Sequence, residues 1–310
     1  MKKISVVMNC YNEEANVMRA YQEVKNVFNT LPEYAYEHIF VDNASTDKTV
    51  QILKSIASKD KNLKIIVNTR NFGHIRSPHY GLLQATGDAV IAIVSDLQEP
   101  PQLIIDFIKK WEEGCKIVLG VKPKSQENFL MFIIRKIFYK LMNILSEEKQ
   151  IENFTGFGLY DRSIIEILKD IKDPYPYFRG LVAEISSDIA TVEYVQAKRT
   201  GGITKNNLYT LFDSAMLGIV NNSKIPLRLA VFLGAVFSLV CFLIGMAYLI
   251  YKLFFWESFQ LGMAPLIVGV FFFFSVQLIF TGILGEYIGA IYTQVRNRPL
   301  VIEKERVNFN

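Results

Sequence analysis

The sequence is poor in the residues that build disulfide frameworks and cysteine metal sites. Its 310 residues include three cysteines, Cys10, Cys115 and Cys241, which lie far apart and form no C-x-x-C pair. This spacing predicts neither a disulfide framework nor a metal site, and it suits a reducing compartment. No G-x-G-x-x-G or G-x-x-x-x-G-K string occurs either, which disfavours dinucleotide and P-loop chemistry.

A strong charge imbalance is also absent. The formal net charge is +4, and no basic run with interleaved aromatic residues occurs. We therefore expect no nucleic-acid partner. The N-terminal apolar stretch turns polar at Asn9 and is too short for a signal peptide, so the N-terminus is expected to stay in the cytoplasm.

Charged residues are nearly missing from one region near the C-terminus. Only Lys252 and Glu257 carry charge between Arg228 and Glu286, although 21% of the chain is charged. Two uncharged stretches, 229–251 and 259–285, lie within this region, and the first would span about 34 Å as a helix. They predict two transmembrane helices joined by a short loop; the alternative is a pair of buried core helices.

Flanking positive charge predicts how these helices are oriented. Basic residues precede the first stretch and follow the second, whereas the connecting loop has one lysine; they are Lys224, Arg228, Arg296, Arg298, Lys304 and Arg306. Both termini and the polar domain are therefore expected on the cytoplasmic side of a cell membrane that the chain crosses twice. Residues 129–145 and 208–220 are candidate interfacial helices, with amphipathic helices packed on the polar domain as an equal alternative.

The remaining chain predicts a polar α/β domain over residues 1–225, followed by the anchor at 226–290 and a cytoplasmic tail at 291–310. Apolar, β-branched runs alternate with helical patterns in the polar domain, which indicates a mostly parallel sheet with helices on both faces. The strand candidates are Ile4–Met8, His38–Val41, Leu63–Val67, Ala89–Val94 and Lys116–Leu119; the helix candidates are Glu13–Leu31, Thr46–Ser58, Pro78–Thr86 and Gln102–Glu113.

Polar clusters follow four of these strands. They are Asn9–Glu14, Asp42–Asp47, Arg70–His74 and Ser95–Pro101. Each cluster alone is explained by a capped turn. Because ligands collect at the carboxyl ends of strands in such sheets, four clusters at the same edge indicate a binding site.

Taken together, the motifs resemble glycosyltransferase family 2. The matching strings are YNEE (11–14), VDNASTD (41–47), RNFGH (70–74), SDLQEPP (95–101), TGFGLYDR (155–162), YFRGL (177–181), GITK (202–205) and GEYIGAIYTQVRNRP (285–299). The two-span anchor and the last string resemble the polyprenyl-phosphate glycosyltransferases within that family. The resemblance implies a Rossmann-like GT-A domain that binds a nucleotide sugar.

The resemblance also implies a reaction and its ligands. A hexose, with glucose as the first choice, would pass from a UDP-sugar to undecaprenyl phosphate with inversion, on the cytoplasmic membrane face, for envelope glycan modification. Mg²⁺ or Mn²⁺ would be held by Asp96 and Gln98. The matching donor-binding residues are Tyr11, Asn12, Glu13, Asp42, Asn43, Arg70, Asp96 and Gln98.

Three positions depart from the family pattern. Asn43 stands where a second aspartate is common, but its amide can still hydrogen-bond the edge of a base. Val94 stands where the first aspartate of a D-x-D motif is usual, so the metal would rely on Asp96, Gln98, Glu99 and the diphosphate. Gly156 stands where many relatives have the aspartate assigned as base. A phosphate acceptor, with a second pKa of about 6, is already mostly a dianion and needs a cationic cradle more than a base.

The residues carried over for this second half of the reaction are cations and carboxylates. Arg179, Arg199 and Lys205 are expected at the acceptor phosphate. Asp96, Glu152 and Asp161 are the candidate catalytic carboxylates, with a helix cap or a salt bridge as the alternative for Asp161.

Two other functions stay open from the sequence. One is a chain-extending polysaccharide synthase, which lacks support because no Q-x-x-R-W-type string occurs and two spans are few for a secretion channel. The other is a catalytically inactive family member that acts as an assembly subunit, which the substitution at Val94 keeps open. The small-residue spacing of Gly285 and Gly289 fits helix packing and a homo-oligomer formed through the membrane helices or the tail.

Overall fold

The computed structural model describes residues 1–122, 151, 153–186, 188–196, 216–220, 223–255 and 263–309. Several sequence-based predictions fall outside these residues: the interfacial helix at 129–145, most of the one at 208–220, and the side chains of Glu152, Arg199 and Lys205. Within 208–220, residues 216–220 are helical.

Strands and helices alternate through the polar domain, as the periodicity predicts. The strands are β1 (Lys3–Cys10), β2 (Ala35–Asp42), β3 (Leu63–Asn68), β4 (Ala89–Val94), β5 (Ile117–Val121), β6 (Phe154–Asp161), β7 (Ala190–Glu193) and β8 (Glu303–Val307). The helices are α1 (Val17–Asn29), α2 (Thr49–Ala57), α3 (Gly73–Gln84), α4 (Leu103–Glu112), α5 (Arg162–Ile171), α6 (Phe178–Ile185), α7 (Ile225–Phe254) and α8 (Met263–Arg296).

All eight described strands form one sheet in the order β7-β5-β6-β4-β1-β2-β3-β8. Strand β1 pairs in parallel with β2 and β4, β2 with β3, and β5 with β7. Strand β6 lies antiparallel between β4 and β5, and β8 lies antiparallel to β3 at one edge. The predicted α/β class with a mostly parallel sheet is confirmed.

Alternate residues of the central strands bury their side chains on opposite faces of this sheet. Val6 belongs to a core shared with α1, α2 and α4. The next residue, Val7, belongs to a second core shared with α3, α5 and α6. Because both faces are covered, the strands read as continuous apolar runs, which is the pattern that a parallel sheet between helices requires.

Helix α3 begins earlier than its sequence suggests. Pro78 favours a start at its own position, yet the helix begins at Gly73 and contains the proline. The Asn43 side chain donates to the Gly73 carbonyl at 3.1 Å, and Oδ1 of Asn71 accepts from the Gly73 N–H at 2.8 Å. Side chains from the preceding loops therefore set the start of the helix.

Helices α7 and α8 are long and apolar enough to cross a membrane. Their candidate spans are Ile225–Ala247 and Gly269–Arg296, and none of either hydrophobic window is buried within the protein. The two helices contact each other through Phe237, whose ring lies 6.3 Å from those of Phe272 and Phe273. Helix α8 continues past Gly285 and Glu286, where the uncharged stretch ends, and terminates at Arg296.

Candidate active site

The carboxyl ends of the central strands meet at one sheet edge. In the strand register Asn9 pairs with Val94, and Cys10 pairs with Asp42. The polar clusters that follow β1, β2 and β4 therefore lie side by side, and Asn43 links the cluster that follows β3. We call this edge, with its four clusters, the donor edge.

The first two clusters are joined by hydrogen bonds. The N–H of Asn12 donates to Oγ of Ser45 at 2.9 Å, and Oδ1 of Asn12 accepts from the N–H of Thr46 at 2.8 Å. Asn12 adopts a left-handed backbone with φ 55° and stays exposed. Tyr11 and Glu13 flank it and are half-buried, so all three predicted donor residues of this cluster lie on the donor edge.

Asp42 is a buried carboxylate at the end of β2. One oxygen accepts from the N–H of Ser45 at 3.0 Å, and the other lies 3.8 Å from Sγ of Cys10. Burial raises the pKa of Asp42, while the bonds to Ser45 and Ala44 act against that rise. Ala44 takes a left-handed φ of 63°, a conformation that costs free energy for a non-glycine residue and clusters at functional sites.

Asn43 is turned into the protein. Its Nδ2 donates to Oδ1 of Asn71 at 2.9 Å, and its Oδ1 accepts from Phe72 N at 2.9 Å and from Asn68 Nδ2 at 3.2 Å. With both amide atoms engaged, the structure makes Asn43 the organiser of the 71–73 loop. Arg70 next to this loop is exposed, with its guanidinium carbon 4.4 Å from the centre of the Phe72 ring.

Asp96 and Gln98 lie together in the turn that follows β4. Oδ1 of Asp96 accepts from the N–H of Gln98 at 3.1 Å, and both side chains are half-buried. Leu97 between them has a left-handed φ of 57°. The turn therefore holds a carboxylate and a neutral amide oxygen next to each other at the donor edge.

The structure adds two residues to this turn that sequence reasoning missed. Nε2 of Gln196 donates to Oε1 of Gln98 at 3.3 Å, and Nζ of Lys122 donates to Oε1 of Gln196 at 3.1 Å. Lys122 directly follows β5, so the rule that placed the other clusters also applies to it. Gln196 follows the short strand β7, whose sequence carries no comparable apolar pattern.

Glu99 lies behind the same turn. Its carboxylate is 4% exposed and accepts from Oγ1 of Thr155 at 2.9 Å and from the N–H of Val94 at 3.1 Å. Burial raises the pKa of Glu99 to about 7. Its two oxygens are engaged by β4 and β6, so Glu99 holds the turn in place and does not point its oxygens to a metal.

The donor atoms of the turn suit a hard divalent cation. Among the residues that the structure describes, no group of three or more histidine, cysteine, aspartate or glutamate side chains could hold a metal. Asp96 nevertheless contributes a half-buried carboxylate, and Oε1 of Gln98, which accepts one hydrogen bond from Gln196, keeps a second lone pair. Mg²⁺ is commonly bound by one or two protein oxygens together with substrate phosphates and water, so this donor set fits.

Arg179 lies on helix α6, which borders a cleft with α8. It is the second residue of α6 and half-buried. Tyr177 and Leu181 of this segment line a cleft whose other wall is formed by Tyr287 and Gln294 of α8. Arg179 thus lies on the helix that forms one wall of this cleft, although it is not itself one of the residues that line it.

Asp161 is not brought to the donor edge. It pairs with Ala89, the first residue of β4, and so lies at the opposite edge of the sheet. Its carboxylate caps α5 through the N–H of Ser163 at 2.9 Å and accepts from Nε1 of Trp111 at 2.8 Å. The helix cap considered for Asp161 is what the structure shows.

Comparison with known proteins decides the family. Residues 5–168 match the family described as glycosyl transferase family 2. The chain belongs to this family. It is therefore a glycosyltransferase, and the resemblance seen in the sequence is confirmed.

Full-length relatives support the same assignment. The chain is 36% identical over 304 residues to the SfII prophage-derived bactoprenol glucosyl transferase of Shigella flexneri, covering 98% of each chain. It is also 36% identical over 299 residues to an uncharacterized glycosyltransferase, YkcC, of Bacillus subtilis, covering 96% of this chain and 92% of that one. At these coverages both matches extend through helices α7 and α8.

A solved structure supports the fold of the polar domain. The crystal structure of glucosyl-3-phosphoglycerate synthase from Mycobacterium tuberculosis, in complex with phosphoglyceric acid, covers 71% of this chain and 78% of its own, with a TM-score of 0.50 and 20% identity. At this identity the similarity shows the fold alone, and it agrees with the GT-A-like architecture of this family 2 chain.

Proposed function

We propose that this family 2 enzyme transfers glucose from UDP-glucose to undecaprenyl phosphate, with inversion, at the cytoplasmic membrane face. One observation carries the proposal: helix α6, which bears Arg179, forms a cleft with the long apolar helix α8. Helix α6 belongs to the polar domain that also holds the donor edge. The name of the Shigella flexneri relative gives the same acceptor class and sugar.

The donor edge offers a nucleotide what it needs. We assign Asp42, at the end of β2, as the acceptor for the N–H of a uracil, and Arg70, exposed on the loop that follows β3, as a cation of the same site. Tyr11 supplies a half-buried aromatic surface next to the exposed Asn12. These residues form the nucleotide side of the proposed site.

The diphosphate belongs beside the turn that follows β4. Asp96 and Gln98 would hold Mg²⁺ or Mn²⁺, which supplies positive charge to the diphosphate as it leaves the sugar. Lys122 is tied to this turn through Gln196, and its ammonium adds a cation on the same side. The chain itself thus contributes one carboxylate, one amide oxygen and one cation to this part of the site.

The acceptor needs positioning more than deprotonation. A phosphate monoester is mostly a dianion at neutral pH, because its second pKa is about 6. Arg179 is a suitable cation for it, since Arg binds phosphate through several N–H donors. Arg199 and Lys205 stay predicted partners of the same phosphate. No carboxylate base is required at Gly156, which has a left-handed φ of 106° in the strand that faces Glu99.

The membrane helices explain how a soluble donor and a lipid acceptor meet. Helix α8 is linked to the polar domain by Gln294, whose Nε2 donates to Oδ1 of Asp173 at 2.8 Å. Tyr287 donates to the Ser223 carbonyl just before α7. We place α7 and α8 across the bilayer with both termini in the cytoplasm, so that the cleft between α6 and α8 would lie at the level of the lipid headgroups.

The test is a transfer assay on membranes that contain the full-length protein. They receive undecaprenyl phosphate, Mg²⁺ and a panel of radiolabelled nucleotide sugars, and the label is counted in the organic-extractable lipid. We expect label from UDP-glucose, lost in Asp96→Ala and on addition of EDTA. The variant Asp161→Asn should transfer at the wild-type rate, because Asp161 lies at the opposite sheet edge.

Other results would redirect the proposal. Label from a different nucleotide sugar would change the sugar and keep the reaction. Label that survives EDTA would assign the diphosphate to cations such as Lys122 alone. No label from any donor, with folded protein in the membrane, would favour the inactive assembly subunit; label in long polymers would favour a chain-extending synthase.

A further inference from the structure

The C-terminal tail returns from the membrane helix to the donor edge. Helix α8 ends at Arg296, and β8 (Glu303–Val307) then pairs antiparallel with β3. Between them Val301 is 6% exposed, so this short connection is anchored to the polar domain. The tail thereby runs beside the end of β3, where the 69–73 loop begins.

The tail makes direct hydrogen bonds with this loop. The carbonyl of Ile302 accepts from the N–H of Thr69 at 2.9 Å and from Oγ1 of Thr69 at 3.0 Å. Thr69 immediately precedes Arg70, the predicted donor ligand. The regular register between β3 and β8 shifts between Val67 and Asn68. Regular strand pairing therefore ends there, and the tail contacts the loop through individual hydrogen bonds.

A second contact comes from Arg76 in the first turns of α3. Its guanidinium donates to the carbonyl of Pro299. Its Nε is buried and finds no partner among the described residues. The guanidinium carbon lies 5.6 Å from the centre of the Phe72 ring, the same ring over which Arg70 lies. Arg76 therefore connects the tail to the aromatic side chain that supports Arg70.

We propose that the tail segment 299–302 and Arg76 form a positioning element that fixes the 69–73 loop for binding of the donor nucleotide. Arg76 acts through Phe72 and the tail and does not itself contact the nucleotide. The inference rests on the proposed function, because the ligand of the loop is taken to be a nucleoside diphosphate.

The physical basis is that the loop is held from two sides. The buried amides of Asn43 and Asn68 hold it from the protein interior. The tail holds it from the outer edge of the sheet through Thr69 and Arg76. Without the outer contacts, the loop that carries Arg70 has more accessible conformations. Nucleotide binding must then order the loop, and this loss of conformational entropy lowers the affinity.

The experiment compares three variants and one control, all as full-length protein in detergent. Arg76→Met removes the guanidinium, Arg76→Lys keeps a donor for Pro299, and Val301→Ala loosens the tail without touching the loop. Glu305→Gln is the control, because Glu305 lies farther along the tail on β8 and the change breaks an exposed ion pair with Lys54 of α2. Calorimetric titration with UDP and Mg²⁺ measures binding, and amide hydrogen exchange measures the order of residues 69–73.

We expect Arg76→Met and Val301→Ala to weaken UDP binding about tenfold. Both should speed exchange at residues 69–73 and raise KM for the sugar nucleotide, with kcat changed less than twofold. Arg76→Lys should recover most of the binding, and Glu305→Gln should match the wild type. The double variant Arg76→Met, Val301→Ala should lose less than the product of the two effects, because both break one unit.

Specific results would overturn the inference. Unchanged exchange at residues 69–73 in both Arg76→Met and Val301→Ala would remove the positioning role, whether or not nucleotide binds. Weak binding in Arg76→Met with normal binding in Val301→Ala would show that Arg76 contacts the nucleotide directly. If the wild type fails to bind UDP while the exchange results hold, the proposed donor is wrong and the link between tail and loop stands.

Discussion

The hydroxyl of Thr155 donates a hydrogen bond of 2.9 Å to Oε1 of Glu99, a carboxylate that is almost wholly buried. This bond joins β6 to the turn that holds Asp96 and Gln98. The second oxygen of Glu99 takes the N–H of Val94, the last residue of β4. A single side chain thus connects two neighbouring strands at the donor edge.

We predict that Glu99→Ala strongly lowers activity, while Glu99→Gln keeps most of it. Alanine leaves the Val94 N–H and the Thr155 hydroxyl without their partner, which costs about 1–3 kcal/mol for each buried group. Glutamine can accept from Val94 through its oxygen and donate to the Thr155 oxygen. The measurement is the rate of sugar transfer together with the free energy of unfolding in urea. Equal activity in both variants would show that the turn holds its shape without this bridge.

A second buried carboxylate lies away from the donor edge and predicts how stability depends on acid. Glu37 accepts from Oγ of Ser5 at 2.6 Å and pairs with Lys3 and Lys64, each at 2.8 Å. Burial alone would raise the pKa of Glu37, but the bonds to Lys3, Lys64, Ser5 and Thr86 outweigh it and lower the pKa to about 2. The carboxylate is therefore stabilising wherever it is ionised.

We expect Glu37→Gln to lower the free energy of unfolding by about 3 kcal/mol at pH 7. Because the folded pKa lies below the unfolded value of 4.5, this contribution is complete above pH 4.5 and is lost as the pH falls towards 2. The control is Glu112→Gln, which breaks the exposed pair with Lys2 and should cost less than about 1 kcal/mol. Urea unfolding between pH 3 and 7 tests both. A constant difference across that range would contradict the prediction.

His38 is buried among aromatic rings. Its ring lies 4.5 Å from that of Phe40 and stacks at 6.4 Å on Tyr21, and neither ring nitrogen finds a hydrogen-bond partner among the described residues. Burial lowers the pKa of His38 to about 3. The folded protein thus keeps this histidine neutral, whereas the unfolded chain protonates it near pH 6.5.

We predict that His38→Leu stabilises the protein and flattens its response to acid. The folded state binds fewer protons than the unfolded state between pH 6.5 and 3, so this group costs about 2 kcal/mol at pH 5 relative to pH 8. Leucine removes both that cost and a buried polar ring without a partner. His38→Gln is the matched variant: it removes the titration but keeps a polar group. If His38→Gln stabilises as much as His38→Leu at pH 8, polar burial is not the cause.

How far the sequence predicts this structure depends on which signal each element carries. Strands β1 to β5 contain apolar runs, and the sequence pattern predicts each of them to within a few residues. The sequence pattern does not predict strand β6, because Gly156 and Gly158 interrupt its apolar run and glycine is depleted in strands. The sequence pattern does not predict strand β8 either, because four of its five residues, Glu303 to Arg306, are charged. These side chains are half-buried or exposed at the sheet edge.

The candidate site shows the same division. The donor edge follows from the rule that ligands lie at the carboxyl ends of parallel strands, and the structure brings Asn12, Asp42 and Asp96 to that edge. The direction of a side chain does not follow from that rule. Asn43 faces inward and organises a loop, and Asp161 caps a helix at the other edge, because neighbours distant in sequence decide those orientations.

The last prediction concerns Val94, which stands where the resemblance to family 2 implies an aspartate. Its side chain is 40% exposed at the end of β4, two residues before Asp96. A carboxylate at this position would need no burial and would add a third oxygen ligand beside Asp96 and Gln98. We expect Val94→Asp to lower the Mg²⁺ concentration for half-maximal transfer about tenfold, since each charged oxygen ligand strengthens the site for a hard cation.

The matched control for this change is Val94→Asn, because asparagine has the shape of aspartate without its charge. It should shift the Mg²⁺ requirement far less than Val94→Asp. Transfer is measured over a range of Mg²⁺ concentrations at saturating sugar nucleotide, with thermal unfolding to confirm that each variant is folded. If both variants keep the wild-type requirement, the cation is not held within reach of position 94. In that case Lys122, linked to the turn through Gln196, becomes the main source of positive charge for the leaving diphosphate.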